Sequence, residues 1–241
     1  MNIQLLTTTF DLPIRFQEVS RWRGAWCELA GWEQDRFHNH RSGDGKVIFR
    51  YPLLQYRSHR RQAGFVAIQE AETDVQRTLA AKEWAIRWKD EPHPLGLLNL
   101  QLETYEVHLD KQWHTYRLSN YLPFNSSNYE RWQSMTLLTE KIALLHRLIS
   151  GHLISFAKGI NWRIPARFEV EITDWYRQQP RVLHDVLRPA FDLEFRTQLF
   201  LPSGIGIGKG VSHGFGVIRR QTVSKRSKRE QSALALQSAL S

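Results

Sequence analysis

The chain has 241 residues, 41% of them apolar and 24% charged, enough to bury a core and too apolar for general disorder. Thirty-three Lys and Arg stand against twenty-four Asp and Glu, a net charge of +9 with a pI near 9.9, which favours a polyanionic partner. The single cysteine, Cys27, excludes an intramolecular disulfide framework and a thiolate zinc cage. The apolar runs span only a few residues and no basic segment leads into an apolar core at the start. The expectation is therefore a soluble, cytoplasmic protein without a membrane partner.

Residues 2–9 read as a strand rich in β-branched residues, broken at Asp11-Leu12-Pro13. Val19, Trp22, Trp26 and Leu29 then recur at helical spacing, with Gly31 as a stop. Arg15, Arg21 and Arg23 lie off that stripe, as a solvated face or an RNA-facing one. After Phe37-His38-Asn39-His40-Arg41 and the turn Ser42-Gly43-Asp44-Gly45, residues 46–57 read as a strand, with an edge or bulge at Pro52. A basic turn at 59–62, a short strand over 64–69, a helix over 71–88 and a strand over 97–109 follow. The order strand, helix, strand, strand, helix, strand is the ferredoxin-like arrangement.

A further strand is predicted over 113–122, then a loop at 123–128 that marks a change of pattern. Ser127 and Glu130 fit a capping box. Leu138, Ile142, Leu145, Ile149, Leu153 and Phe156 hold one helical stripe that Gly159 ends. Long strands are expected over 163–176 and 190–201, with 181–187 the best place for a shortened second helix. The division adopted is 1–111, 112–221 and a basic tail over 222–241, opened by Lys225-Arg226-Ser227-Lys228-Arg229 and expected to be mobile or loosely helical.

Six glycines fall between Gly204 and Gly216, a density that permits positive φ and close approach of backbone amides to an anion. A Walker loop fails, because Ser203 stands where the first glycine should be and Gly210 follows Lys209. The dinucleotide pattern fails in every register, its third glycine falling on Lys209, Val211, His213 or Arg219. A loop between two strands, carrying Lys209 and followed by Arg219 and Arg220, suits a sugar-phosphate backbone better than a diphosphate.

Gly206-Ile207-Gly208, five residues, then Gly214-Phe215-Gly216 resembles the glycine loop of the repeat-associated RNA-binding superfamily of CRISPR systems. Leu153 to Gly159, Ile207 to Ser212, Arg23-Gly24, and Phe37-His38-Asn39-His40 with Tyr51-Pro52-Leu53-Leu54-Gln55-Tyr56 extend the likeness along nearly the whole chain to about residue 220. By these motifs the chain resembles the CRISPR repeat-processing endoribonucleases, the Cas-six family. The resemblance implies an α+β fold of two tandem ferredoxin-like domains. It also implies CRISPR repeat RNA as substrate and retained product, other effector subunits as further partners, and a catalytic histidine at His38 or His40.

The residues themselves admit that chemistry. RNA cleavage by its own 2′-hydroxyl needs a base, an acid and a cation, and no metal or other cofactor. Imidazole serves as either base or acid at neutral pH. His38 and His40, with Arg41, Lys46 and Tyr51 nearby, are the candidate catalytic set. Arg21, Arg23, Arg41, Gly206, Gly208, Lys209, Gly210, Ser212, His213, Gly214, Gly216, Arg219 and Arg220 are the candidate RNA contacts. A structural role for either histidine, or a zinc site, stays open, although further ligands for zinc are not clustered. Two other readings are a non-catalytic repeat-RNA-binding subunit, against which the histidine pair argues, and a nucleotide-metabolising enzyme, against which the failed glycine patterns argue. Of the nine tryptophans, Trp22 and Trp26 belong to the helical core stripe.

Overall fold

The computed structural model describes residues 1–31, 50–80 and 84–221. The first half runs β1 (Asn2–Pro13), α1 (Val19–Ala30), β2 (Leu54–His59), β3 (Gln62–Ile68), α2 (Glu70–Leu79), a small hairpin of β4 (Ala85–Trp88) and β5 (Glu91–Pro94), then β6 (Leu97–Glu106). Its main sheet has the order β2-β3-β1-β6, all antiparallel. The second half runs β7 (His108–Tyr121), α3 (Ser126–Ser134), α4 (Leu138–Gly159), β8 (Val170–Leu183), β9 (Val186–Phe200) and β10 (Val217–Arg220). Its sheet has the order β10-β7-β9-β8, again antiparallel. Counting each half's sheet strands from one to four, both orders read four-one-three-two, so the ferredoxin-like topology occurs twice in tandem. Only Val107 separates β6 from β7.

The second half departs from the pattern where the second helix belongs. Between β9 and β10 the chain forms no α-helix; it forms the glycine-rich segment, with a single 3₁₀ turn at Val211–His213. The expected short helix over 181–187 is instead the tip of the β8–β9 hairpin, where Leu183 pairs with Val186 around a two-residue turn. The helix expected over 71–88 ends at Leu79. From Ala85 the burial alternates, Ile86 and Trp88 inward, Ala85 and Arg87 outward, which is strand periodicity. The cap of α3 is Asn125, whose side chain accepts the amide of Asn128 at 2.8 Å, rather than Ser127.

Two apolar clusters meet at the first sheet. Leu6 and Phe10 of β1 pack with Trp22, Trp26, Tyr56 and Phe65 beneath α1, a ring cluster with centroids 4.7–6.4 Å apart. Ile3, Leu5, Val66 and Ile68 face the other way and join Tyr116, Tyr121, Leu145, Leu153, Phe156 and Phe195 of the second half. A sheet apolar on both faces must be covered on both, which locks the two halves together.

Leu145 is fully buried in this shared core, whereas Leu138 on the same helix is 61% exposed. Leu145→Ala is expected to cost about 2–5 kcal/mol in urea denaturation, and Leu138→Ala less than about 0.5 kcal/mol. Equal losses would contradict the assignment of the core face of α4.

Candidate nucleic-acid interface

The glycine segment is held to the first half by a polar seam. Tyr51 Oη donates to the carbonyl of Gly206 at 2.8 Å, and the Gly206 amide donates to Gln55 Oε1 at 2.8 Å, so both backbone groups of one glycine are captured. Gln55 Nε2 in turn donates to Tyr51 Oη at 2.7 Å and to the Pro52 carbonyl at 3.0 Å. Arg57 completes the seam. Its Nη2 donates to Gln55 Oε1 at 2.6 Å and Gly204 O at 3.2 Å, its Nη1 to Val211 O at 3.1 Å and Tyr56 O at 3.2 Å. Every one of these acceptors is neutral, and burial pulls the Arg57 pKa down to about 10. The Tyr-Pro-x-x-Gln-Tyr motif is thus a strut under the glycine segment. Tyr51, expected beside the reacting phosphate, is buried with its hydroxyl spent on Gly206 and its pKa raised by that burial.

The glycines mainly serve packing. A Cβ at Gly206 would lie 2.7 Å from Val211 and 3.0 Å from the Phe215 carbonyl. At Gly208, with φ near 95°, it would press on Tyr121 at 2.7 Å and the Leu122 carbonyl at 2.9 Å. Most of the segment's amides are already used. Ile207 donates to Gly216 O, Lys209 to Leu122 O, His213 to Gly210 O, Gly214 to Val211 O and Gly216 to Asn120 O. The expected broad cradle of amides is therefore narrower, and the amides of Gly208 and Gly210 make no such bond among the described residues. Gly206, Gly214 and Gly216 are buried.

What faces outward is positive. Lys209, Arg219 and Arg220 are exposed. Arg219 pairs in register with Arg117 on β7, and Arg220 lies 4.5 Å over the ring of Phe200. Ser212 is half-buried. The two helix arginines part company. Arg21 is exposed and lies 6.0 Å over Trp88, while the charge of Arg23 reaches His213, Cys27 and Tyr56. His38, His40, Arg41, Lys46 and the tail over 222–241 lie outside the described residues.

Sequence reasoning missed Gln55, Arg57 and His152 as parts of this region. His152 Nδ1 sits 2.7 Å from Tyr121 Oη, and burial together with Lys209 lowers its pKa to about 4. His213 is buried, with Nδ1 2.9 Å from Ser20 Oγ, and burial together with Arg23 and His184 lowers its pKa to about 3. Periodicity carries no signal for such polar partners, although Gln and Arg alternating on an otherwise apolar strand is a visible anomaly. Among the described residues no cluster of His, Cys, Asp and Glu could hold a metal ion, and no helix is long and apolar enough to cross a membrane.

Both histidines take up a proton near 6.5 in the unfolded chain but only near 4 and 3 in the folded one. The stability they contribute is complete above pH 6.5 and declines as the pH falls from there toward 4 for His152 and toward 3 for His213. The lowered carboxyls of Glu18 and Asp110 add to acid loss only below about their ordinary values of 4.5 and 3.8. The melting temperature should therefore already fall between pH 7 and pH 5, and His213→Gln should flatten that dependence. A parental slope in His213→Gln would remove His213 from this account.

Comparison with known proteins follows the same division of the chain. The Cas6b N-terminal domain matches residues 1–106 and the Cas6b C-terminal domain matches residues 108–221. A crystal structure of Cas6b superposes with a TM-score of 0.80 at 19% identity, over 92% of this chain and 100% of that one. A crystal structure of the CRISPR RNA processing endoribonuclease Cas6b gives 0.69 at 17% identity, over the same shares. Csf5, a CRISPR-Cas type IV Cas6 crRNA endonuclease, gives 0.60 at 13%, again over 92% and 100%. The search of curated proteins gives no match. With consecutive Cas6b domains over 1–106 and 108–221 and the same tandem fold, the chain belongs to the Cas6b family.

Proposed function

We propose that the protein is a CRISPR RNA processing endoribonuclease that cuts the precursor transcript within the repeat. The observation that carries this reading is the pair of Cas6b domain matches, which together span the first sheet, the strut and the glycine segment. A family model of this kind favours the enzyme over a non-catalytic repeat-RNA-binding subunit.

The mechanism follows from the residue types. The 2′-hydroxyl preceding the scissile phosphate is the nucleophile. A general base removes its proton and a general acid protonates the departing 5′-oxygen. The products are a 2′,3′-cyclic phosphate and a 5′-hydroxyl. His40 is assigned to one of these roles and His38 to the other, because an unperturbed imidazole titrates near 6.5 and so exchanges protons at neutral pH. Lys46 or Arg41 supplies positive charge to the phosphorane. Lys209, Arg219 and Arg220, on the glycine segment and the strand after it, hold the RNA backbone, with Ser212 and the amides of Gly208 and Gly210 as neutral donors. The strut of Tyr51, Gln55 and Arg57 acts through the loop it positions. The reaction as written involves no metal.

His40→Ala should lower the cleavage rate of repeat RNA by roughly 10²–10⁴-fold while affinity changes only a few-fold. His38→Ala should act in the same direction. A 2′-deoxy nucleotide before the scissile bond should abolish cleavage but not binding, and excess EDTA should leave the rate unchanged. Cleavage that survives the 2′-deoxy substitution, or that needs a divalent ion, would refute the mechanism.

Lys209→Ala/Arg219→Ala/Arg220→Ala should reduce the slope of log affinity against log salt by roughly one counterion for each phosphate no longer neutralised. An unchanged slope would place all three outside the RNA footprint. This triple variant is a cleaner probe than Gly206→Val, which would collide with Val211 and the Phe215 carbonyl and disturb the loop itself.

A further inference from the structure

A concavity of about 520 Å³ lies where three elements converge: the start of α1, the tip of the β8–β9 hairpin and the end of the glycine segment. Its walls carry rings. Phe16 meets Phe215 edge to face at 5.0 Å, and His184 meets His213 in the same manner at 4.8 Å. The Arg181 guanidinium lies 5.6 Å over Phe16, steadied by Nε donating to Asn120 Oδ1 at 3.0 Å. Ser20 and Asp185 add a hydroxyl and a carboxylate to the same lining.

The hairpin turn that supplies His184 and Asp185 is poorly suited to those residues on backbone grounds. Both have positive φ, 51° and 58°, in a two-residue loop. That geometry is the type I′ turn, for which Asn-Gly is the favoured pair and for which histidine and aspartate carry a steric cost. Both side chains are exposed, so core packing does not require them. What they do is complete the wall of the concavity. His213, opposite, has Nδ1 engaged with Ser20, and its other ring nitrogen makes no hydrogen bond among the described residues.

We infer that this concavity is a binding site for one unpaired nucleotide of the RNA. The half-buried Phe16 and the exposed His184 offer rings to the face of a nucleobase, while Phe215 and His213 line the concavity from almost fully buried positions. The hydroxyl, carboxylate and free imidazole nitrogen offer donors and acceptors to the base edge, and Arg181 lies where a phosphate can be met. The volume accommodates a single nucleotide, and His213 and Phe215 of its lining belong to the same glycine segment as the exposed Lys209. The inference rests on the RNA-processing reading and adds to it a place where one base is splayed out and read.

The test uses the full chain, with the four ribonucleoside 5′-monophosphates as probes. The ring-proton resonances of His184 and His213 are followed by NMR. At least one mononucleotide should move both resonances saturably, and inorganic phosphate alone should not. The double variant His184→Asn/Asp185→Gly installs the preferred turn pair, so its melting temperature should equal or exceed the parent's. Its nucleotide affinity should nevertheless fall by roughly tenfold or more, a loss of about 1.4 kcal/mol or more. Unmoved His213 resonances with all four nucleotides, an equal response to phosphate, or parental affinity in the double variant would each overturn the site. Repeat-RNA cleavage by the parent protein is measured alongside. Cleavage without mononucleotide binding sinks the pocket alone, and mononucleotide binding without cleavage sinks the nuclease reading while supporting the pocket.

Discussion

The structure turns on the need to satisfy polar groups where the first half meets the glycine segment. Tyr51, Gln55 and Arg57 are all buried there, and a buried donor without an acceptor costs roughly 1–3 kcal/mol. Each of them finds its partners on the opposing loop: the amide and carbonyl of Gly206, and the carbonyls of Gly204 and Val211. The loop depends on them in turn, because among the described residues no other backbone group pairs with the amide and carbonyl of Gly206 or the carbonyl of Gly204, whereas the Val211 carbonyl also accepts the Gly214 amide. Neither side is satisfied without the other. A segment with neither regular structure nor a large side chain at every second residue thereby acquires one fixed position. Arg57 raises the stakes further, since its charge meets only neutral oxygens and would be left stranded if the loop moved away.

Two copies of one topology flank this seam, and their difference gives the molecule its asymmetry. The first half fills the place of its second helix with α2, and the small hairpin that follows sets β4 against α1. The second half leaves that place to the glycine segment, which lies low against Tyr121 and Leu122 because its glycines carry no Cβ. A helix there would cover the end of the sheet. The glycine segment leaves Lys209, Arg219 and Arg220 open to solvent and brings His213 beneath α1. The same bare backbone thus permits close packing and leaves these cations on the surface.

Much of this was legible in the sequence. The stripe from Leu145 to Phe156 marked the core face of α4 up to its final Gly159, with Leu138 of the same predicted stripe left exposed, and Trp22 and Trp26 marked the core face of α1, because burial on one side imposes a period of 3.6. The glycine spacing identified the loop and its family. The small hairpin of β4 and β5 escaped because Val75, Leu79 and Ile86 share a helical period by coincidence, while the turn at Lys89 and Asp90 bears no glycine. The β8–β9 tip escaped for the same reason, with His184 and Asp185 in place of the usual turn pair. The strut was visible as letters but not as a structure, since the partners of Tyr51 and Gln55 lie about 150 residues away in the chain.

The state of the histidines bears on where the chemistry belongs. His213 lies within the glycine segment and His152 is within the electrostatic reach of its Lys209, so both are candidates by position. Burial and neighbouring positive charge hold their pKa values near 4 and 3, so both are neutral at pH 7 and neither is the imidazolium that a general acid requires. As bases they are weak for the same reason, since a group that protonates only near pH 3 or 4 has little affinity for the proton of a hydroxyl. Both are also engaged through Nδ1, by Tyr121 and by Ser20. They suit a neutral role, orienting Tyr121 in one case and lining a base-sized cavity in the other. Acid–base work at neutral pH requires imidazoles with unperturbed affinity, close together and near a cation. In the sequence His38 and His40 stand two residues apart with Arg41 and Lys46 following, and the proposed acid–base roles fall to that pair and RNA binding to the glycine segment.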